Sequence, residues 1–448
     1  MMKKKVLATY INEFNYKFII AGAKKYKCQN IQKIFNKKKI VTYTKDKIQN
    51  KNLDPWVQNV SINTGKPSKI HKVYNLGQNF QKKQIQIWDH LSKKKIKSIV
   101  WGPMNATFQK NEYLKIFFPD PWNFSQKTFP YNLNYLSKIQ SYYAKNYLDL
   151  KLLKIVKYSF LFLWGLIRRG YLLKCLSFFP KIFPIILLRG FKNYILFLLL
   201  DLISTVAVNK EVKRNNPEFT ILFLNSIAHF QHNHWNEERH QKIFFKFLDI
   251  ICFELISLEQ KFNSKLIFNG FSQIKIKSEH ILRPINPSRL LKNLGIKFIK
   301  LEQNMTNGGI IFFKNSLDRT KYEKLLRSIC FEKFYFFEIK KIDNKTIFYR
   351  VQVKLKKDIN FIIKNSNNVS RYLFYDLSGR INRQNIKRKN LNIDFLKEFL
   401  SIKSSGVHYN KGLLLYDNLQ SNKNISKIKK IENHKIFNLI LSSFHEKK

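Results

Sequence analysis

Four of the ten histidines in this 448-residue chain fall between positions 229 and 240. The segment reads Leu224-Asn225-Ser226-Ile227-Ala228-His229-Phe230-Gln231-His232-Asn233-His234-Trp235 and follows an apolar run from Phe219 to Leu224. A short apolar run of that kind reads as a buried strand, which places Asn225, His229 and His232 at its carboxyl end. Imidazoles gathered there could bind a metal through a neutral nitrogen or act as proton donors. They could equally use their ring N–H groups to satisfy backbone carbonyls. A second constellation, Leu53-Asp54-Pro55-Trp56-Val57-Gln58-Asn59-Val60-Ser61-Ile62-Asn63-Thr64-Gly65-Lys66 with His71 after it, offers the hydroxyls of Ser61 and Thr64. Either hydroxyl could serve as a nucleophile, or as a helix cap or turn bond. Glu13, beside Asn12, adds a carboxylate at the end of another apolar run, in the manner of a ligand or of an ordinary surface acid.

These residues need a scaffold, and hydrophobic patterning supplies one. Lys5 to Ile11 predicts a buried strand, followed by a helix through about Phe35. Ile85 to Ser92 predicts a helix and Ile96 to Trp101 a short strand that Gly102-Pro103 ends. Phe219 to Leu224 is the next strand, then a helix from about Glu237 to Phe262 and a strand at Leu266 to Phe268. Such alternation predicts an α/β fold with a mostly parallel central sheet flanked by helices, and in such sheets ligands sit at the carboxyl ends of the strands. The polar clusters Asn12-Glu13, Gly102 to Ala106, Asn225 to His234 and Asn269 to Gln273 all fall at such ends.

In the same frame the sequence resembles the alkaline phosphatase superfamily, on its nucleotide pyrophosphatase/type I phosphodiesterase side. Thr64-Gly65, Pro67 and His71 are similar to that family's Thr-Gly, Pro and His-Gly around the nucleophile, with Lys72 in place of the Gly. Leu7 to Asn12 resembles its first strand, which delivers a metal-binding Asp, and Asn225-x3-His229 has the spacing of its Asp-x3-His ligand pair. Leu266 to Gly270 resembles the strand before its Asp-His pair, and Ser405-Gly406-Val407-His408 resembles its closing metal histidine. The resemblance implies an alkaline-phosphatase-like core. It also implies a divalent metal, Zn first with Mn or Fe as alternatives, held among Asn12, Glu13, Asn225, His229, His232, Asn269 and His408, with Ser61 or Thr64 as nucleophile. Asn12, Asn225 and Asn269 stand where the family has Asp, and Gly270 where it has His. Those amides remove about three negative charges from a site that family members use to hold two zinc ions. A closer resemblance is to an uncharacterised bacterial subgroup, often encoded near surface-polysaccharide genes. It rests on Asn12 to Asn15, Trp101 to Ala106, Phe118 to Trp122 and Gly270 to Gln273. The two Trp-bearing stretches could wall a substrate pocket or pack as loops.

Composition bounds the partners. Lys+Arg number 82 against 29 Asp+Glu, a formal net charge of +53, yet only 14 of those cations are Arg. Lys, Asn, Ile and Phe are the residues that AT-rich codons specify, so mutational bias accounts for the profile without selection for nucleic acid, and no specific nucleic-acid partner is expected. Cys28, Cys175, Cys252 and Cys330 are too far apart for a CxxC pair or a disulfide framework, and the N-terminus lacks a signal peptide's apolar core. A cytoplasmic protein is the expectation. Between Asp149 and Asp201 there is no acid, only Lys and Arg among Phe and Leu. The uncharged runs there are about half the ~20 residues of a spanning helix, so basic amphipathic helices on an anionic membrane surface, or a helical cap over the core, are expected instead. The chain then divides into 1–147 and 211–417 as parts of the α/β core (the latter with an inserted α+β segment), 148–210 as the basic amphipathic helical insertion, and 418–448 as a peripheral tail. Two functions compete: a metal-dependent phosphoester hydrolase or transferase acting on a phosphorylated small-molecule or lipid-linked substrate, and a catalytically degenerate relative that binds a phosphorylated glycan or lipid headgroup.

Overall fold

The computed structural model describes residues 4–46, 53–78, 84–146, 150–187, 193–303, 307–331, 334–355, 398–419 and 425–444. The chain divides into two compact units, Met1–Lys275 with Gly406–Lys448, and Ile276–Ser405.

The first unit is built on an eight-stranded sheet. Its members are β1 (Val6–Ile11), β2 (Lys38–Tyr43), β3 (Ser98–Trp101), β4 (Leu114–Phe118), β5 (Phe219–Leu224), β6 (Ser264–Phe268), β16 (Lys411–Asp417) and β17 (Lys430–Glu432), in the order β17-β2-β16-β6-β1-β5-β3-β4. β6, β1, β5, β3 and β4 run parallel, and β16 alone is antiparallel to its neighbours β2 and β6. Successive strand residues face opposite ways, so Val6, Ala8 and Tyr10 enter one apolar layer and Leu7 and Ile11 the other. Helices cover both faces. On the Leu7 side pack α1 (Tyr16–Lys25), α2 (Gln29–Phe35), α10 (Asn193–Asn215) and α12 (Glu238–Glu259). On the Tyr10 side pack α3 (Pro55–Thr64), α5 (Ile87–Lys93) and α15 (Ile436–Ser442). The remaining helices of this unit are α4 (Ser68–His71), α6 (Asn134–Asn146), α7 (Leu152–Arg168), α8 (Leu172–Leu176), α9 (Phe179–Leu187) and α11 (Ser226–His234).

The described residues of 418–448 pack into the first unit, where composition suggested a peripheral tail. β17 extends the sheet beside β2, and Ile436 and Ile440 of α15 are buried in the Tyr10-side core. Its Asn/Lys bias conceals an apolar stripe of helical spacing. Within 148–210 the described residues are helical, but the last helix belongs to the core: Ile195, Leu198, Leu202 and Val206 of α10 are buried against the sheet. The boundary expected at 147/148 lies outside the described residues.

The second unit contains a four-stranded antiparallel sheet of β8 (Lys300–Gln303), β9 (Gly308–Phe312), β12 (Phe337–Lys341) and β13 (Thr346–Val351), in the order β12-β13-β9-β8. Its other elements are α13 (Pro287–Asn293), α14 (Ser316–Ser328) and the short strands β10 (Cys330–Phe331), β11 (Phe334–Tyr335) and β14 (Lys354–Leu355). Leu290, Ile311, Leu326, Ile347 and Tyr349 form its separate apolar core. The chain passes between the units within β7 (Ser272–Pro284) and β15 (Phe399–Tyr409).

Candidate metal centre

Strand register assembles the site. Ile11 pairs with Leu224, and Tyr10 with Phe268, so the residues that follow these strands emerge side by side at one sheet edge. The Asn12 N–H donates to the Leu224 carbonyl at 2.9 Å, carrying the pairing one residue past β1. Asn12 and Asn225 therefore meet: the Asn12 Nδ2 donates to Asn225 Oδ1 at 2.8 Å and to Glu13 Oε1 at 3.1 Å. Asn225 Nδ2 in turn lies 3.2 Å from His229 Nε2, as a donor to that nitrogen.

Glu13 turns the chain with φ at +54°, a left-handed conformation that costs a non-glycine residue energy and persists only where surroundings enforce it. They do so here. The Glu13 carbonyl accepts from Gln231 Nε2 at 3.0 Å and from the Gln273 N–H at 3.2 Å. Asn15, which caps α1 by accepting from the Phe18 N–H, also donates to the Gln273 carbonyl and receives Gln231 Oε1 on its own N–H. Two glutamines from remote segments thus pin the β1–α1 turn.

The turn aims the Glu13 carboxylate, which is buried, at two imidazoles. Its Oε2 lies 2.9 Å from His232 Nε2 on α11 and 3.2 Å from His408 Nε2 on β15, and it accepts from Gln273 Nε2 at 2.6 Å. Burial alone would raise this carboxyl, but the facing His408 and His232 rings outweigh it and hold the group well below the usual carboxylate range. Burial likewise works against a charged His408. Glu13, with Asp54 and the Leu53 carbonyl, more than offsets it and raises the ring to about 9. His408 Nδ1 sits 2.7 Å from the Leu53 carbonyl and 3.8 Å from Asp54 Oδ1, so the proton on Nδ1 is fixed and Nε2 is turned to Glu13. Asp54 is the N-cap residue of α3 with Pro55 at the first helical position, and it brings a second carboxylate to the edge of the site. Asp-Pro before a helical run is a readable start signal, but it carries no mark of function.

The arrangement fits a divalent cation. Glu13, His232 and His408 offer one carboxylate oxygen and two imidazole nitrogens within 4.8 Å of one another. Bonds of about 2.0–2.1 Å to zinc require ligand atoms roughly 3 Å apart, and the 2.9 and 3.2 Å separations meet that need. Asn12 Oδ1, on the amide whose nitrogen holds the Glu13 carboxylate, is buried without a hydrogen-bond partner, an orphan acceptor that a cation or a bound water would satisfy.

The other candidate residues have different duties. His229 is hydrogen-bonded toward the cluster through the Asn225–Asn12 pair and also feels the charges of His232 and Glu13. Its ring stacks on Phe197 with centroids 3.4 Å apart, and burial pushes it down to about 3, so it stays neutral. Asn269 is fully buried and joins backbone segments: Nδ2 donates to the Phe14 carbonyl at 2.8 Å and Oδ1 accepts from the Leu413 N–H at 2.7 Å. Ser61 and Thr64 are buried within α3 and are not brought to the cluster. The Thr64 hydroxyl donates to the Val60 carbonyl at 2.7 Å. Ser61 Oγ bonds the Val57 carbonyl at 3.3 Å and His71 Nε2 at 2.9 Å. Because His71 Nδ1 accepts from the Val73 N–H, the ring's proton is on Nε2, and His71 donates to Ser61 instead of withdrawing its proton. Both hydroxyls are therefore bonded back to the preceding turn of α3.

No family profile and no curated protein matches this sequence. Solved structures do. The chain is similar to phosphonoacetate hydrolase from Sinorhizobium meliloti 1021 in complex with phosphonoacetate, at 9% identity and a TM-score of 0.43, covering 98% of this chain and 96% of that one. The same enzyme in complex with phosphonoformate aligns at 10% identity and a TM-score of 0.44, with the same coverage.

Two supporting residues carried no local signal. Asp201 on α10 is buried and accepts from the Asn225 N–H at 3.1 Å and the Ser226 N–H at 2.8 Å, capping α11 from outside. Burial raises its carboxyl to about 6. Asp120 does the same for the Trp-bearing loops, accepting from the N–H groups of Asn105 at 2.9 Å and Trp122 at 3.0 Å. Trp101 itself is buried and stacked on Phe118 with centroids 4.3 Å apart, so it belongs to the core and does not wall a pocket.

Proposed function

We propose that this chain is a divalent-metal-dependent phosphoester hydrolase or transferase of the alkaline phosphatase superfamily, with phosphodiesters and glycosyl phosphates as its first candidate substrates. The observation that carries the reading is the Glu13 carboxylate set between His232 Nε2 and His408 Nε2 at the carboxyl edge of a mostly parallel sheet. Glu13, His232 and His408 would hold the ion, zinc first, with Asn12 Oδ1 as a neutral fourth donor. A bound divalent ion supplies Lewis-acid polarisation of a phosphoryl oxygen. The Leu53 carbonyl holds the His408 Nδ1 proton, so Nε2, which faces Glu13, is the nitrogen that would ligate once an ion displaces its proton. With Ser61 and Thr64 buried, Asp54 is the candidate base that takes the proton of an attacking water or alcohol. The test is metal content together with turnover of an aryl phosphodiester. Wild type should carry a stoichiometric ion and lose turnover at least ~100-fold on Glu13→Gln. Wild-type protein that binds no Zn, Mn or Fe and turns over no ester refutes the enzyme.

A second reading has specific support. Asn12, Asn225 and Asn269 use their amide N–H groups as donors, which a carboxylate could not do, and the Ser61 and Thr64 hydroxyls are bonded back within α3. A non-catalytic relative that binds a phosphorylated glycan or lipid headgroup fits those facts. It predicts phosphate-ester binding by the metal-loaded protein with no turnover.

The lipid side of the proposal rests on α7 to α9. No helix among the described residues is long and apolar enough to cross a membrane. Yet Leu153, Phe160, Trp164, Leu173, Phe179 and Leu187 all lie exposed, Leu153 at 84% and Leu173 at 82%. Lys151, Lys154, Lys157, Arg168, Lys174 and Lys181 are interleaved with them. Such a surface fits an anionic bilayer, with the rings and leucines among the acyl chains and the cations among the headgroups. The protein would then be peripheral on the inner face of the membrane, where a lipid-linked substrate is presented. Flotation with phosphatidylglycerol vesicles should recover the wild type and lose Phe160→Asp/Leu173→Asp. Equal recovery of both refutes membrane docking by these helices.

A further inference from the structure

A second set of ligand-type side chains converges outside the Glu13 centre. His234 is the last residue of α11, Glu237 is the N-cap of α12 and His240 lies in its first turn, a His-x2-Glu-x2-His run. The helix break between them folds the three onto one another. His234 Nδ1 lies 2.9 Å from Glu237 Oε2 and His240 Nε2 lies 3.3 Å from the same oxygen, with all three ligand atoms within 4.8 Å of one another. The two separations to Glu237 are near those that a tetrahedral ion with bonds of about 2.0–2.1 Å requires. Each side chain is partly exposed, so an ion can enter and a water can complete its coordination.

The surroundings are those of a metal ligand set. Tyr194 of α10 is buried, and its hydroxyl meets His240 Nδ1 at 3.1 Å, orienting the ring so that Nε2 faces Glu237. The Tyr194 ring also stands edge-on to both imidazoles, at centroid distances of 5.0 Å to His234 and 5.6 Å to His240. A hydrogen bond to the non-ligating nitrogen is what fixes tautomer and orientation in metal-binding histidines. Two neutral nitrogens and one carboxylate suit zinc or another borderline divalent ion.

We infer that His234, Glu237 and His240 form a second divalent-metal site, a structural clip between α11 and α12. Its consequence is positional. α11 also carries His232, two residues before the clip, so an ion there fixes the end of the helix that presents a ligand to the Glu13 centre. The clip itself does not depend on the proposed chemistry at Glu13.

Zinc titration of the chelator-treated full-length chain tests it, read as stoichiometry by calorimetry and as the shift in melting temperature. Wild type should take up two equivalents, Glu13→Gln one, and His240→Ala or the isosteric Glu237→Gln one. Glu13→Gln/Glu237→Gln should take up none at micromolar zinc. Tyr194→Phe should keep the site with zinc affinity about tenfold lower. Zinc should raise the melting temperature of Glu13→Gln but not that of the double variant. The clip is overturned if Glu13→Gln binds no zinc, or if Glu237→Gln matches wild type in both stoichiometry and melting shift. Failure of the Glu13 centre shows differently, as an unchanged stoichiometry in Glu13→Gln.

Discussion

Asn12→Asp tests whether the strand-end cluster is a cation site. The substitution keeps the side chain's shape but turns a donor into an acceptor. Asn12 Nδ2 gives hydrogen bonds to Glu13 Oε1 at 3.1 Å and Asn225 Oδ1 at 2.8 Å, and both become oxygen–oxygen contacts. Two carboxylates 3.1 Å apart repel by about 5 kcal/mol at an effective dielectric constant of ~20. The new carboxyl escapes part of this by taking up a proton. At pH 7 that costs about 4 kcal/mol from an unfolded pKa of ~3.9, and at pH 5 about 1.5 kcal/mol. The sign follows from linkage: the folded pKa lies above the unfolded one, so stability is intact below the unfolded pKa and falls as pH rises. Urea unfolding in chelator should therefore show Asn12→Asp weaker than wild type by ~3–4 kcal/mol at pH 7 and by roughly 1–2 kcal/mol at pH 5. Zinc or manganese should then stabilise the variant by ~2.7 kcal/mol at a hundredfold excess over its dissociation constant, and by more than the same concentration stabilises wild type. A variant as stable as wild type at pH 7 in chelator, or one indifferent to divalent cations, would show that the carboxylates do not converge on an ion.

Two further outcomes are expected. Ser61→Ala removes a buried hydroxyl and leaves His71 Nε2 without its acceptor, for a loss of about 1–2 kcal/mol in urea unfolding. Turnover of an aryl phosphodiester should stay within about threefold of wild type, and a loss above ~100-fold at unchanged stability would make Ser61 the nucleophile after all. Burial depresses His71 to about 4, below its unfolded value of ~6.5, so its contribution is complete above pH 6.5 and is lost as pH falls toward 4. The shift corresponds to about 3 kcal/mol, so replacing His71 with Gln should flatten the acid limb of the stability profile between pH 6.5 and 4.5 by an amount of that order. An unaltered acid limb would mean that His71 titrates freely in the folded protein.

Periodicity and strand ends made much of this fold legible. Phe219–Leu224 is the strand its apolar run predicts, and the polar residues after β1, β5 and β6 do meet at one edge. Glu13, His232 and His408 were readable as ligand types. What was not readable is which candidates converge, because that depends on partners more than 200 residues apart. Gln231 and Gln273 fix the Glu13 turn across separations of 218 and 260 residues, and no local pattern distinguishes them from surface amides. The setting of Ser61 was hidden for a physical reason. Its motif lies inside α3, where a hydroxyl back-bonds to the preceding turn, while the end of α3 that reaches the site carries Leu53 and Asp54. The chain's end was hidden by composition: Lys and Asn surround Ile436, Phe437 and Ile440, which are buried.

The three amides argue against reading this centre as a two-ion site that has merely decayed. Codon drift toward Lys and Asn explains how Asn could arise where the resembling family has Asp, and it would leave mismatched groups behind. The opposite is found. Asn12 donates to Glu13 and Asn225, Asn225 donates to His229, and Asn269 donates to the Phe14 carbonyl. Each bond needs an N–H that a carboxylate lacks, and the Glu13 carboxylate and the Phe14 carbonyl are acceptors that a second carboxylate would repel. His229, pushed to about 3 by burial, is neutral and faces Asn225 as an acceptor, which suits an amide and not a cation-binding carboxylate pair. The network is satisfied by amides, with the Glu13 carboxylate set between two histidines. Under the proposed function, the chemistry to test is therefore that of a single divalent ion together with the Asp54 carboxylate.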